Sequence, residues 1–350
     1  MAQVAREAVL DADEGRFADR IRWEQSCFFQ ENGYLILPAF FSPAEVAAFR
    51  THLDALWDSR RAGSPFVMDC YLGTARQKRD YFRNADEDVR AEPYKLNDLH
   101  LDDPVVQHTC LDSRLVAVLE NLLGARPVVI NTLLMEYGSQ QSAHFDTFYM
   151  PSRTPNLMAA SWIGMEATND DNGPLFFYPR SHLIPPRHFS HGEIWLPDAE
   201  VPDAMAHAAR IVEQYGLREH TFYAHPGDVL IWHAQLLHGG KPIKRPGSTR
   251  LSLVTHYHTM IDVADPANRI DLGDGRLILK RPHCDVLDAA MRAKLEDFMA
   301  GLKIADEHRS GVPQTFDPIA YLVRNRDVRE ARIDPYAHYC IFGRSEGRAW

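Results

Sequence analysis

The chain has 350 residues, of which 45% are hydrophobic and 25% charged, and its net charge is −10 at pH 7; these values are typical of an ordinary globular protein. The negative charge argues against nucleic acid as a partner, no apolar run approaches the roughly 18 residues that span a membrane, and the N-terminus lacks a secretory pattern. The five scattered cysteines predict free thiols in a reducing compartment, so we expect a cytoplasmic protein that binds a small molecule.

The N-terminal region is predicted to consist of helices around one short strand. Residues 1–30 have a polar helical pattern, and residues 34–37 form an apolar strand after the turn at Asn32-Gly33. Ser42-Pro43-Ala44-Glu45 has the sequence of a capping box with proline at the first helical position, and it predicts a helix to about residue 60. We expect these helices to cover one face of a sheet.

Residues 61–105 lack a regular hydrophobic pattern. They are interpreted either as a solvated connection or as a lid that contacts the substrate, because long loops in compact domains are often functional. A helical pattern returns at 104–123 and stops before Gly124. The sequence leaves the role of the 61–105 segment open.

The central region predicts a mainly β fold with flanking helices. Its apolar, β-branched and aromatic runs are separated by turns rich in Gly, Pro and Asp, which is the pattern of a double-sheet jelly roll or barrel. A Pro- and His-rich insertion at 181–225, with a helix predicted near 203–215, is a candidate substrate loop, and its histidines are interpreted as solvated rather than as a second metal site. The predicted strands are 126–137, 159–165, 175–178, 229–233 and 250–257.

The C-terminal region is predicted to be helical. A helix near 287–301 is followed by a polar linker at about 303–315 and a tail at 316–350, which we expect to be a small helical appendage that docks a partner or packs on the core. The predicted organisation is one domain over 1–302, with its core at about 25–260, followed by this appendage. The apolar residues available for packing the appendage are Tyr321, Leu322, Val328 and Tyr339.

A histidine and an aspartate two residues apart, His144 and Asp146, mark a candidate metal site. In an extended strand, residues i and i+2 project from the same face, so both side chains can reach one ion. His238 follows the predicted strand 229–233 beside two glycines and supplies a second imidazole. Two imidazoles and one carboxylate, with the other positions open, are typical of non-haem Fe(II) oxygenases. His233 is expected to face the other side of its strand and to support the core rather than bind metal.

A candidate anion-binding pair follows the second histidine of this site. Arg250 opens the predicted strand 250–257, and Ser252 lies on the same strand face. Arginine suits bidentate binding of a carboxylate, so the pair could hold the far carboxylate of a keto-acid that chelates the iron.

Several segments between about residues 25 and 260 carry a family resemblance. They are Asn32–Pro38, Ser42-Pro43, His144-Phe145-Asp146, Asn172–His182, Gly227–His238 and Arg250-Leu251-Ser252. Together they resemble the phytanoyl-CoA dioxygenase family of Fe(II)/2-oxoglutarate oxygenases. The resemblance implies a double-stranded β-helix (jelly roll, cupin-like) core, with His144, Asp146 and His238 as iron ligands and with Arg250 and Ser252 on the C5 carboxylate of 2-oxoglutarate. It also implies that O2 and 2-oxoglutarate are consumed in hydroxylating an aliphatic C–H bond of a small or medium metabolite, a class that includes lipid-linked and saccharide-linked compounds, with release of succinate and CO2.

Further residues around this centre are candidate contacts. Asn131, Thr147 and Trp162 lie on or beside the flanking strands and are interpreted either as contacts to 2-oxoglutarate or substrate or as ordinary packing. Tyr149 and Met150 follow the His-x-Asp motif and are candidate substrate contacts. Arg180 stands where the family usually has glycine, and it is expected to place a charge near the rim of the pocket.

Two other functions stay open at this point. One is a catalytically silent metal- or ligand-binding or scaffolding protein with the same fold, and the other is a cupin-type dioxygenase that does not use 2-oxoglutarate. The tail at 316–350 lies outside the family core, and it resembles short segments appended to bacterial glycosyltransferase-like and surface-polysaccharide proteins.

Overall fold

The computed structural model describes residues 23–344 except 191, 198, 199, 314 and 315, so most of the predicted lead-in at 1–30 lies outside the described residues. The helices are α1 (Trp23–Asn32), α2 (Pro43–Ser59), α3 (Pro104–Cys110), α4 (Ser113–Leu123), α5 (Val201–Gln214), α6 (Ala289–Ala300), α7 (Asp306–Ser310), α8 (Pro318–Arg324), α9 (Arg326–Glu330) and α10 (Pro335–His338). The strands are β1 (Tyr34–Leu37), β2 (Val67–Cys70), β3 (Lys78–Tyr81), β4 (Lys95–Asn97), β5 (Pro127–Met135), β6 (Ala159–Gly164), β7 (Leu175–Phe177), β8 (His220–Phe222), β9 (Val229–His233), β10 (His238–Gly240), β11 (Ser252–Thr259), β12 (Arg269–Asp271) and β13 (Leu277–Leu279).

The strands form two sheets around a shared buried interior. The larger sheet has the order β1-β9-β6-β11-β5-β4-β2-β3, with β12 and β13 joined to it at β5, and the smaller sheet has the order β10-β7-β8. The described strand pairs are antiparallel except that of β13 with β5. This is a jelly-roll core, and the predicted mainly β fold with flanking helices is confirmed.

Successive side chains of the central strands point to opposite faces, so the larger sheet has an inner and an outer face. Val254 of β11 lies opposite Trp162 of β6, and both belong to a buried cluster that includes Leu175 and Phe177 of the smaller sheet. The neighbouring residue Leu253 belongs to a different cluster, on the other face. The inner face of β11 therefore points into the space between the sheets, where the metal site lies.

Helices cover the outer face of the larger sheet. One cluster joins Val46, Phe49, Leu53 and Trp57 of α2 to the outer residues of the sheet. The predicted capping box starts α2, because Ser42 Oγ accepts the N–H of Glu45 at 3.3 Å and the Ser42 N–H donates to Glu45 Oε2 at 2.7 Å. The single helix predicted at 104–123 is instead two helices. Asp112 is the N-cap of the second helix, α4, and its side chain accepts the N–H of Arg114 at 2.9 Å.

Residues 61–105 contain three short strands where an irregular segment was predicted. β2, β3 and β4 extend the larger sheet beyond β5. β3 carries Lys78, Arg79 and Asp80, and Arg79 makes a bidentate ion pair with Asp69 of β2 at 2.6 and 3.0 Å. Charged residues suit an exposed edge strand such as β3. A strand this short and polar has no alternating apolar pattern that would reveal it in the sequence.

The C-terminal helices have a small core of their own. Tyr321, Leu322, Val328 and Tyr339 pack with Leu295 of α6 and with Phe316, as the sequence suggested. Residues 345–350 lie outside the described part of the chain, and the division into a domain at 1–302 and an appendage at 316–350 stays a prediction. Among the described residues, no helix combines the length and the apolar character needed to cross a membrane.

Candidate metal centre and adjoining cavity

His144 and Asp146 lie on a short extended segment beside β10. His144 forms an isolated bridge with His238, in which its N–H donates to the carbonyl of His238 at 2.9 Å and its carbonyl accepts the N–H of His238 at 3.1 Å. Phe145 is extended, with φ −109° and ψ 137°, and Asp146 then begins a 3-10 turn. The two side chains therefore project to the same side, although the segment makes only a single bridge and is not a full strand.

Three buried side chains converge here. Nε2 of His144 lies 3.8 Å from Oδ1 of Asp146, and Nε2 of His238 lies 3.6 Å from the same oxygen. The ligand atoms of these three residues all lie within 4.8 Å of one another, and no other group of His, Cys, Asp or Glu in the described part of the chain is spaced in this way. Their spacing and chemistry fit a metal ion held by two imidazoles and one carboxylate.

Hydrogen bonds fix the tautomer of both histidines. Nδ1 of His144 donates to the carbonyl of Ser142 at 2.8 Å, and Nδ1 of His238 donates to the carbonyl of Leu236 at 2.9 Å. Because a carbonyl only accepts, the proton is on Nδ1 and Nε2 presents its lone pair to Asp146. Both rings are thus oriented for metal binding.

The charges at the centre also suit a cation. Burial, with His238 alongside, lowers the pKa of His144 to about 3, so this ring is neutral at physiological pH. Burial alone would raise the pKa of Asp146, but His238 and His256 beside it hold that pKa below its usual range. The site therefore presents an ionised carboxylate between imidazoles.

Trp232 holds the second oxygen of the carboxylate. Its indole Nε1 donates to Asp146 Oδ2 at 2.8 Å, which leaves Oδ1 facing the imidazoles. Trp232 lies on the inner face of β9, and its backbone pairs with Tyr34 of β1. The strand therefore sets the orientation of the ligating carboxylate.

We expect Trp232→Phe to lower the affinity for Fe(II) by about ten- to a hundredfold, the usual effect of losing a partner that orients a metal ligand. The measurement is an anaerobic Fe(II) titration of the metal-free protein. Trp57→Phe is the matched control, because Trp57 Nε1 donates to Tyr94 Oη at 2.8 Å in the outer core. That variant should lose stability and keep its iron affinity. Equal iron affinities for wild type and Trp232→Phe would contradict the orienting role.

A cavity of about 470 Å³ extends from the three ligands into the interior. Arg250 lies at its buried end with 1% of its surface exposed, and its guanidinium stands 5.5 Å from the centre of the Trp162 ring. Arg250 Nε and Nη1 and Ser252 Oγ are buried without a hydrogen-bond partner among the described residues. Burial lowers the pKa of Arg250 to about 10, so it stays charged at neutral pH. A buried cation with unused donors fits the carboxylate of a bound anion.

The other candidate residues divide between the cavity and its surroundings. Asn131, Trp162, Tyr149 and Met150 line the cavity with Arg250. Ser252 lies directly on β11 at 0% exposure, and the strand begins there rather than at the predicted Arg250.

Thr147 and Arg180 are not among the residues that line the cavity. Thr147 Oγ1 donates to Gln235 Oε1 at 2.5 Å and so ties the ligand segment to the β9–β10 connection. Arg180 adopts the left-handed conformation (φ 70°) that glycine favours, and its side chain pairs with Glu31 at 2.7 Å on the surface. The turn thus has the backbone shape expected with glycine.

Sequence reasoning missed His256, and it left open whether the 61–105 segment is a solvated connection or a substrate-contacting lid. His256 lines the cavity, and its Nε2 lies 3.5 Å from Asp146 Oδ1. Its even spacing from Ser252 on one strand was a usable signal. The 61–105 segment lines the cavity with Leu72, Gly73, Gln77, Lys95 and Asn97.

The 181–225 insertion lies behind the ligand segment. Phe189, Leu196 and α5 form one buried cluster with Phe145 and Phe148. None of the described residues of the insertion is among those that line the cavity. Its role as a substrate loop stays a prediction.

Comparison with known sequences agrees with the family resemblance of the sequence motifs. The family described as "Phytanoyl-CoA dioxygenase (PhyH)" matches residues 29–250, more than half of the chain. Peroxisomal phytanoyl-CoA dioxygenase of Bos taurus is 23% identical over 241 residues, which cover 67% of this chain and 67% of that protein. Ectoine dioxygenase of Bordetella parapertussis is 24% identical over 279 residues, which cover 76% of this chain and 84% of that protein.

Solved structures share the fold. The non-heme alpha ketoglutarate dependent carbocyclase SnoK from nogalamycin biosynthesis has a TM-score of 0.53 and 19% identity, covering 69% of this chain and 85% of that chain. The epimerase SnoN, solved with Fe3+, alpha ketoglutarate and nogalamycin RO, has a TM-score of 0.50 and 19% identity, covering 73% of this chain and 97% of that chain. At these identities the likeness is one of fold alone.

Proposed function

Because the chain belongs to the phytanoyl-CoA dioxygenase family, whose members are Fe(II)/2-oxoglutarate-dependent dioxygenases, we propose that it hydroxylates an aliphatic C–H bond of a small or medium metabolite. This class of metabolite includes lipid-linked and saccharide-linked compounds; in the proposed reaction O2 is consumed, and succinate and CO2 are released. The observation that carries this proposal is the unpaired, buried Arg250 in the same cavity as the His144, Asp146 and His238 cluster. An iron site alone would not need a buried cation close by, whereas a chelating keto-diacid needs both.

Each residue has a distinct part in this proposal. His144, Asp146 and His238 hold the iron, and Arg250 with Ser252 binds the C5 carboxylate of 2-oxoglutarate. Together the iron and 2-oxoglutarate supply the oxidising power for an unactivated C–H bond. The chain contributes ligand orientation and the exclusion of water, since 1% exposure at Arg250 leaves that end of the cavity closed to solvent.

The substrate is proposed to enter from the opposite end of the cavity. Tyr149 is half exposed there and its ring meets that of His144 edge-on at 5.7 Å. Gln77 and Gln141 are also exposed residues of the lining. These residues, with Met150, are the proposed substrate contacts, and the 61–105 segment forms one wall. We further propose that 1–302 is the catalytic domain and that the appendage at 316–350 docks a partner or packs on it.

The test is succinate formation from 2-oxoglutarate, screened against a metabolite library with Fe(II) and O2. We expect stimulation by a subset of compounds in the wild type and none in His238→Ala. A silent binding or scaffolding protein would give no Fe(II)-dependent succinate with any compound. A cupin-type dioxygenase would oxidise a compound without succinate and would be unaffected by Arg250→Ala.

A further inference from the structure

A second cavity, of about 400 Å³, adjoins the metal cavity, and we call it the second chamber. Asn97, Asn131 and Met150 line both spaces, so these side chains stand at the boundary between them. The remaining walls of the second chamber come from the edge strands of the larger sheet, from β11 and from β13 with the segment that follows it. Those walls are mostly apolar, and they contain two arginines, Arg79 and Arg281.

The order of residues along β11 places the second chamber beyond the metal position. Ser252, His256 and His258 are separated by even numbers of residues, so their side chains lie on one face of the strand. Ser252 is at the Arg250 end, His256 stands beside the metal ligands, and His258 lines the second chamber. At about 3.3 Å per residue, this face is roughly 20 Å long from Ser252 to His258. The keto-acid site and the second chamber therefore lie on opposite sides of the metal position.

Each of the two arginines is held in place by an aspartate. Arg79 donates to both oxygens of Asp69, through Nε at 2.6 Å and through Nη2 at 3.0 Å. Arg281 donates through Nη2 to Asp98 at 2.5 Å, and its Nε and Nη2 also bond to the carbonyl of Ile130. Nη1 of both arginines makes no hydrogen bond with the described residues. Each guanidinium is thus fixed in position and keeps one NH2 group free.

The two ion pairs lie side by side. Asn97 Nδ2 donates to Asp69 Oδ2 at 3.2 Å, and the next residue along the chain is Asp98. The hydrogen bonds with Asp69 raise the pKa of Arg79, and the charge of Asp98 raises it further. Arg79 is therefore within electrostatic reach of the aspartate that holds Arg281, and one small group can meet both guanidiniums.

This cluster of charges has an excess of positive charge. Asp69 also forms an ion pair with Lys95 at 3.3 Å, so its single negative charge is shared between two cations. Arg79, Lys95 and Arg281 face only two carboxylates, which leaves one positive charge without a counterpart in the cluster. Free guanidinium N–H groups with excess positive charge suit a carboxylate or a phosphate.

We propose that the substrate extends from the metal centre into the second chamber, where Arg79 and Arg281 bind a carboxylate or phosphate group at its far end. This inference rests on the proposed function, since it names the substrate class of the same site. The substrate is an anion in which a carbon segment separates the oxidised carbon from the charged group. The apolar walls contributed by Val67, Ile130 and Leu279 contact that segment.

The test compares anionic compounds with neutral analogues of the same size. The probes are medium-chain alkanoates with their amides, alkyl phosphates with the matching alcohols, and hexose phosphates with the free hexoses. In the wild type we expect kcat/KM for 2-oxoglutarate decarboxylation to be about 10- to 150-fold higher with the anionic member, the effect of hydrogen bonds to a charged group. In Arg79→Gln this ratio should fall towards one, while iron content and the Kd of 2-oxoglutarate stay as in the wild type. The series with the larger ratio identifies the group as carboxylate or phosphate.

A binding readout accompanies the kinetics. Calorimetry on the redox-inert Zn(II) form with 2-oxoglutarate should give the same preference in Kd, and inorganic phosphate should compete with the anionic probe in the wild type. Arg281→Gln is the second variant, and thermal unfolding shows whether it folds, because Asp98 is buried and loses a partner. Arg76→Gln is the matched control, since Arg76 pairs with Glu92 at 3.2 Å on the surface of the same segment and lines neither cavity.

The outcomes distinguish the inference from the proposed function. A wild type that forms no Fe(II)-dependent succinate with any compound of the metabolite library would count against the proposed function itself. The inference would be overturned, and the proposed function left standing, by a wild type that responds to neutral compounds at least as well as to anionic ones. Folded Arg79→Gln and Arg281→Gln proteins that prefer the anion as the wild type does, or phosphate that binds without competing, would overturn it in the same way.

Discussion

Alanine at His144, Asp146 or His238 is expected to abolish turnover and to lower the affinity for Fe(II) by more than about a hundredfold, because losing a ligand must exceed the effect of losing a partner that only orients one. The three ligand atoms share one small volume and lie within 4.8 Å of one another, so each variant should have the same consequence. The measurements are iron content after anaerobic reconstitution and 2-oxoglutarate-dependent succinate formation.

A neighbouring histidine provides the control. His233 is buried on β9, but it lies on the opposite strand face from Trp232, and its Nδ1 accepts the N–H of Gln235 at 3.0 Å. His233→Asn can keep this acceptor, and it should bind iron like the wild type. Thermal unfolding of each protein without metal shows whether the ligand variants fold. Normal iron content in His144→Ala would overturn the whole site assignment.

The His144 and Asp146 pair could be predicted because its spacing is local, whereas His238 was found from its place beside two glycines after a predicted strand. His144 and Asp146 needed only an extended Phe145 between them, and one backbone bridge to His238 then completed the cluster. The strong strands and the capping box at Ser42 were predictable for the same reason, since each depends on a few consecutive residues.

Side-chain contacts between residues that are distant in sequence and belong to no motif could not be predicted. Asn131 was a candidate cofactor contact, but its amide is engaged by Asp98 and His256, 33 and 125 residues away. The hydrogen bond from Trp232 to Asp146 spans 86 residues and has no local signature. Likewise β3, an edge strand of charged residues, forms because β2 pairs with it and supplies the carboxylate for Arg79.

Two buried arginines that differ in their hydrogen bonding allow a further test. Arg60 is 4% exposed, and its guanidinium donates to the carbonyls of Ala85 and Trp57 at 2.9 and 2.6 Å. Arg250 is 1% exposed, and two of its nitrogens have no partner among the described residues. The first arginine supports the fold, whereas the second is placed for a ligand.

Arg250→Ala is therefore expected to raise the Kd of 2-oxoglutarate by about 30-fold to several thousandfold, which corresponds to about 2–5 kcal/mol for one partner of a buried charge pair. Its iron content should be unchanged, and the free energy of unfolding without ligand should be equal or higher, because an unmatched buried charge is removed.

Arg60→Ala should do the reverse: it should lose about 2–3 kcal/mol of stability, as two buried carbonyls lose their donor, and keep its affinity for 2-oxoglutarate. Calorimetric titration with 2-oxoglutarate and denaturant unfolding measure the two quantities. If Arg250→Ala lost stability while binding 2-oxoglutarate as the wild type does, Arg250 would be a structural residue and the keto-acid site would have to lie elsewhere.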